Sequence, residues 1–142
     1  MPSPLELVDR YRPRTERAFV ERVVAAVRAH VARPDLQVSL LLTDDREIAA
    51  LHKEFLDDPT PTDVMSFELD GDAEIVVSVE TARRVAKQKG HTIRAECALY
   101  IVHGILHTVG YDDIDAQDRA RMRDAERAIL QQLGLKVHAV DA

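Results

Sequence analysis

The 142-residue sequence predicts an α+β fold. Three observations lead there. Apolar and polar residues alternate over three short stretches, the period of strands buried on one face. Around them, apolar residues recur every three or four positions, the period of amphipathic helices. One stretch, from Thr92 to Val109, is apolar on nearly every side, as befits a helix running through the core.

Taken in order, a short extended lead precedes residues 15 to 32, where Phe19, Val20, Val23, Val24, Val27 and Val31 lie at helical spacing. Pro34 stops that helix, because proline lacks the amide that a helix interior needs. In LQVSLLLT, Leu36, Val38, Leu40 and Leu42 share one face of a strand, with Gln37, Ser39 and Thr43 on the other. Asp44 and Glu47 form an acidic variant of a capping box, opening a helix expected to bury Ile48, Leu51 and Phe55. Pro59 and Pro61 break it. Met65, Phe67 and Leu69 then face inward on a second strand, and Ile75, Val77 and Val79 on a third. Ser39, Ser66 and Ser78 thus fall together on the less apolar side, which is either a cleft floor or a wet sheet surface. Ser78 can instead cap the next helix, which Gly90 ends. The apolar helix from Thr92 closes at Gly110, and Asp115 opens a last amphipathic helix bearing Met122, Ala125, Ile129 and Leu133, closed by Gly134.

A length of 142 residues with 46% hydrophobic content fits a single domain over residues 1–142. Charged residues interrupt the N-terminal stretch, and no apolar run is long enough to span a bilayer. A soluble, cytoplasmic protein is expected. The single cysteine, Cys97, excludes an internal disulfide framework, and its apolar neighbours suit a buried, inert thiol. The net charge of -6 argues against indiscriminate nucleic-acid binding, although a local basic groove remains open. Its candidates are RYRPR with Arg17 and Arg22, and RRVAKQK from Arg83 to Lys89; the alternative is that each is a solvated helix face or arm.

The stretch HGILHTVGYDD, residues 103 to 113, carries the chemistry. Residues at i and i+4 sit one above the other on a helix, so His103 and His107 can aim ring nitrogens at one ion. The alternative is a pair of core histidines satisfied by backbone or carboxylate, since an unpaired buried polar group is costly. Gly110 lets the chain turn back, returning Asp112 or Asp113 towards the pair, and a carboxylate is an acceptable third ligand for zinc. With Asp113 the spacing is H-x-x-x-H-x-x-G-x-x-D. Metzincin proteases end this spacing in histidine and place a general-base glutamate after the first histidine. Here that residue is Gly104, which disfavours such a protease. Asp112 can orient His107, cap a helix or face solvent; Thr62, Asp63 and Ser66 either line a cleft or form a turn. His52 reads as a surface residue, and His30, His91 and His138 lie at element ends.

Together with PTDVMSF, Pro61 to Phe67, and EIVVSVETA, this motif resembles the YbeY family of metal-dependent endoribonucleases of ribosomal RNA maturation, over roughly Leu36 to Leu135. The resemblance implies a zincin-like fold, with a small mixed β-sheet of about four strands, helices packed on it, and the H-x-x-x-H pair on a central buried helix. It implies one Zn²⁺ held by His103, His107 and Asp113, with both histidines serving catalysis. The implied activity is single-strand-specific cleavage in 16S ribosomal RNA 3′-end processing and in ribosome maturation or quality control. Ribosomal RNA and small-subunit proteins are the implied partners, with no membrane involved and no oligomeric state specified.

Two residues depart from the family pattern. The third ligand is usually histidine, whereas this chain has Asp113, and the arginine usual before the PTDV run is replaced by Leu56. A carboxylate lowers the net charge of the site, weakening the ion as a Lewis acid. Losing a guanidinium removes a phosphate clamp. The alternatives are a ribosome-associated metal-binding protein with weak or no nuclease activity, or a metal-dependent hydrolase of another substrate.

Overall fold

The structure is a computed structural model that describes residues 5–58, 62–112 and 114–137. Its elements run β1 (Leu5–Asp9), α1 (Arg17–His30), β2 (Val38–Thr43), α2 (Asp45–Leu56), β3 (Val64–Leu69), β4 (Asp72–Ser78), α3 (Val79–Lys89), α4 (Ile93–Thr108) and α5 (Ala116–Gln132). The strands form one sheet in the order β1-β2-β4-β3. β1, β2 and β4 are parallel, whereas β3 runs antiparallel to β4. Parallel neighbours need a long crossover, and α1 supplies the one between β1 and β2. β3 and β4 need only the two-residue turn Asp70-Gly71, where both residues have positive φ, 53° and 84°. That is the backbone Asp-Gly favours in a tight hairpin.

The helix starts follow the sequence expectation closely. Asp44 accepts from the Glu47 amide at 2.9 Å, Ser78 from Thr81 at 3.1 Å, Thr92 from Ala95 at 3.0 Å and Asp115 from Asp118 at 2.8 Å. Each bond satisfies an amide that the first turn leaves unpaired, which typically stabilises by about 1 kcal/mol. α1 buries Phe19, Val20, Val23, Val24 and Val27 as its spacing requires, and ends before Pro34.

The sheet extends one expectation and corrects three others. The extended lead is itself strand β1, paired with β2 through Leu5↔Val38 to Asp9↔Leu42. Register overturns the assignment of faces on β3. Ser66 sits opposite Ile75, and Met65 opposite Val76; cross-strand partners share a face. Val64 and Ser66 therefore lie with Ile75 and Val77 on the face that α4 covers, while Met65, Phe67 and Leu69 lie on the other. Ser39 and Ser78 pair with Glu74 and Thr43, so they occupy the face opposite Ser66 and the three serines do not form one floor. The expected inward positions Leu69 and Phe55 are 58% and 60% exposed, because α2 covers only part of its face of the sheet.

On the face covered by α1, α4 and α5, the residues Val38, Leu40, Leu42, Ala73, Ile75 and Val77 join one buried cluster with Val20, Ile101, Ile105, Met122 and Ile129. Each large aliphatic side chain buried there contributes about 1.5–3 kcal/mol through removal from water. On the opposite face a cavity of about 570 Å³ is lined by Leu41, Val76 and Phe67, with Glu6 and Glu74 beside them. Among the described residues, no helix is long and apolar enough to cross a membrane.

Candidate metal centre on helix α4

α4 lies against the sheet because one of its residues has no side chain. A Cβ on Gly104 would meet Ile75 Cγ2 at 3.0 Å, Ile75 Cδ1 at 3.1 Å and Val64 Cγ2 at 3.2 Å. Glycine at this position lets the helix axis approach β3 and β4 closely. It also explains the missing glutamate after the first histidine: a long side chain there would be driven into the sheet. The helix leaves this contact at Val109, and Gly110, with φ 111°, releases the chain while the Tyr111 amide donates to the Leu106 carbonyl at 3.0 Å.

His103 and His107 flank Gly104 on the same helix, one turn apart. His103 is partly buried. Its Nδ1 lies 2.7 Å from Oε2 of Glu126 on α5, whose other oxygen accepts from Arg123 Nη1 at 2.9 Å. Glu126 is fully buried, so its charge depends on these two partners. A carboxylate accepting from Nδ1–H fixes the tautomer and leaves Nε2 with its lone pair. His107 is exposed, with its Nδ1 3.1 Å from Ser66 Oγ on β3. Each ring is thus held through Nδ1, with its Nε2 edge turned away from that contact. These two imidazoles fit the nitrogen ligands of a zinc site.

The third expected ligand, Asp113, lies outside the described residues, as does His138. Asp112 accepts from the Ile114 amide at 3.3 Å and approaches Asp118, and it makes no hydrogen bond to His107. Its hydrogen bond, with some burial and the charges of Asp112 and Asp115, holds the Asp118 carboxyl above the usual range. Among the described residues, no group of three His, Cys, Asp or Glu is arranged to hold a metal. Thr62 and Asp63 serve the start of β3: Asp63 accepts the Val64 amide at 2.8 Å, and its carbonyl accepts the Ser78 amide at 2.9 Å. Leu56 ends α2 with 57% exposure. His30 is exposed at the end of α1, and His52 lies 4.0 Å from Asp58.

Two buried acids escaped the sequence reading. Glu126 falls four residues after Met122 and three before Ile129, on the apolar stripe of α5. A charge on such a stripe needs a partner, and that was the available signal. Glu96, in the first turn of α4, is paired with the equally buried His91 side chain. Burial, followed by the hydrogen bond with Glu96, holds the Tyr100 phenol well above its usual range. Cys97 is buried as expected. Desolvation, reinforced by Glu96 and Asp9, pushes its thiol up to about 12.

Comparison with known proteins agrees with this architecture. The family model Endoribonuclease YbeY matches residues 9–134. An endoribonuclease YbeY of Heliobacterium modesticaldum is 37% identical, covering 83% of this chain and 83% of its own. One of Fusobacterium nucleatum is 34% identical, covering 82% and 78%. The solution structure of TM1509 from Thermotoga maritima superimposes with a TM-score of 0.65 at 21% identity, over 92% of this chain and 91% of that one, and shares the fold. With matches of this extent, the chain belongs to the endoribonuclease YbeY family.

Proposed function

We propose that this chain is a zinc-dependent, single-strand-specific endoribonuclease of the cytoplasm. Its substrate is ribosomal RNA, in 16S 3′-end processing and in ribosome maturation or quality control, with small-subunit proteins as partners. The carrying observation is the pair of Nδ1 contacts, Glu126 to His103 and Ser66 to His107, on a helix with the family's motif. His103, His107 and Asp113 would hold one Zn²⁺. When bound, the ion supplies positive charge that stabilises a phosphodiester as negative charge grows on its oxygens.

The chain's own residues prepare that position. Glu126 and Arg123 lock the His103 ring, so little reorganisation is needed when a ligand arrives. Ser66, on the edge strand β3, holds His107 at the solvent-facing end of the pair. The exposed Leu56 favours a second reading, a ribosome-associated metal-binding protein with weak nuclease activity, because it stands where the resemblance expects an arginine.

Purified protein should contain one zinc per chain and cleave unstructured ribosomal RNA. His103→Ala and Asp113→Ala should abolish both properties while the fold persists. Stoichiometric zinc without cleavage would select the second reading. Absence of zinc binding, or cleavage that survives both substitutions, would sink the first. Turnover of an unstructured peptide but not RNA would indicate a hydrolase of another substrate.

A further inference from the structure

The two basic segments of the sequence, RYRPR and RRVAKQK, are about seventy residues apart, yet the fold brings them to one cleft. This cleft, of about 310 Å³, is lined by Arg14 after β1, Arg83 on α3 and Arg94 at the start of α4, with Tyr11, Ile93 and Glu16 beside them. The three arginines are exposed, and none forms an ion pair with a described carboxylate. Among the described residues lining the cleft, one acid, Glu16, stands with three guanidiniums, and the Asp9 carboxylate beside that loop is taken up by backbone amides, in a chain whose net charge is -6.

The cleft is built rather than incidental. The Asp9 carboxylate accepts the Tyr11 amide at 3.1 Å and the Thr15 amide at 2.8 Å, which organises the loop bearing Arg14. The Arg94 guanidinium lies over the Phe19 ring at 4.4 Å, a cation–π contact that holds its position while leaving its N–H edge available. Arg83 stands one helical turn after Val79, and both side chains line the same cavity.

We propose that this cleft is an anchoring site for the phosphate backbone of single-stranded RNA, separate from the histidine pair. Guanidiniums recognise phosphate oxygens through paired N–H donors, and an aromatic beside them offers a face on which a base can stack. An acidic peptide would use the arginines but not Tyr11 and Ile93. Arg94 and His107 are thirteen residues apart on α4, about 20 Å of helix axis. The anchor therefore holds a strand several nucleotides from the point of cleavage, giving long RNA an advantage that short substrates lack. This inference rests on the proposed nuclease reading for its biological purpose, but not for its test.

Binding of unstructured RNA, about 20 nucleotides long so as to exceed the roughly 4–16 nucleotides a binding module spans, is measured by fluorescence anisotropy in a His107→Ala background that does not cleave. Arg14→Ala/Arg83→Ala/Arg94→Ala should weaken binding at least about tenfold and lower the slope of log affinity against log salt by about 2, at about 0.7 for each phosphate no longer neutralised. A charge-matched control, Arg33→Ala/Lys53→Ala/Arg127→Ala, should bind as the parent does. The corresponding triple lysine variant should recover most of the salt slope, showing that the alanine variant failed through missing charge rather than a damaged fold. Equal binding by the alanine variant and the parent overturns the anchor even if cleavage is established. Competition by inorganic phosphate or an acidic peptide as effective as that by unlabelled RNA also overturns it. Arginine-dependent RNA binding in a wild-type chain that cleaves nothing would keep the anchor and remove the nuclease.

Discussion

Nδ1 of His103 and Oε2 of Glu126 meet at 2.7 Å, joining α4 to α5 across 23 positions of sequence. The carboxylate is fully buried, so the bond has little competition from water. It therefore does two things at once: it helps satisfy a buried acid, and it aims the opposite edge of the imidazole.

Glu126→Gln preserves the shape while removing the charge. Zinc affinity, measured by competition with a chelator, should fall about 10–100-fold, as for other partners behind metal-bound histidines. Glu126→Ala should also lower the urea midpoint, because it empties the space of a fully buried side chain between α4 and α5. Unchanged zinc affinity in Glu126→Gln would remove Glu126 from the site.

Gly104 tests the docking of α4. Alanine improves helix propensity by about 0.5–1 kcal/mol, but its methyl meets two stiff β-branched side chains, and overpacking costs about 1–3 kcal/mol. A small net loss is expected for Gly104→Ala and a much larger one for Gly104→Val. Equal urea midpoints for valine and glycine would contradict the close approach to Ile75 and Val64.

Cys97 should be silent towards disulfide reagents at pH 7 and react once the chain is unfolded, since thiolate is scarce with the thiol pushed up to about 12. The raised value also has a sign for stability. From about pH 8.5, the ordinary thiol value, the unfolded chain ionises while the folded chain does not. Stability should fall from there towards pH 12, and Cys97→Ala should lessen the fall.

Asp45 governs part of the acid limb. Burial raises its carboxyl, but hydrogen bonds from Ser78, Thr81 and Arg84 outweigh that and hold it below the usual range. Its stabilisation is present above about pH 4 and is lost as pH falls through the depressed value. Asp45→Asn should be less stable than the parent at pH 7, with the gap closing on acidification, as read from denaturant midpoints. A gap that widens in acid would reverse the assignment.

Leu56→Arg should raise RNA cleavage at least about tenfold, if a guanidinium at the end of α2 stabilises the charge that builds on phosphorus. Zinc content should not change. Cleavage rates of the two proteins on one RNA at fixed salt decide the matter.

Local chemistry alone announced much of this molecule. Asp44, Ser78, Thr92 and Asp115 declare helix starts because a capping side chain bonds amides only two or three residues away. The spacing of His103 and His107 follows from helical period, and the inert Cys97 from its apolar neighbours. Which surfaces meet is a different kind of information. Ser66 came to His107 only because β3 pairs with β4 in the register Ser66↔Ile75, and a one-residue slip would have turned it away. Glu126 reached His103, and Arg14 came to share a cleft with Arg83 and Arg94, through packing between distant segments. Periodicity sets the face of each element relative to its own axis. The partner that face receives is decided by register, by close approach at Gly104 and by the requirement that buried charges be paired.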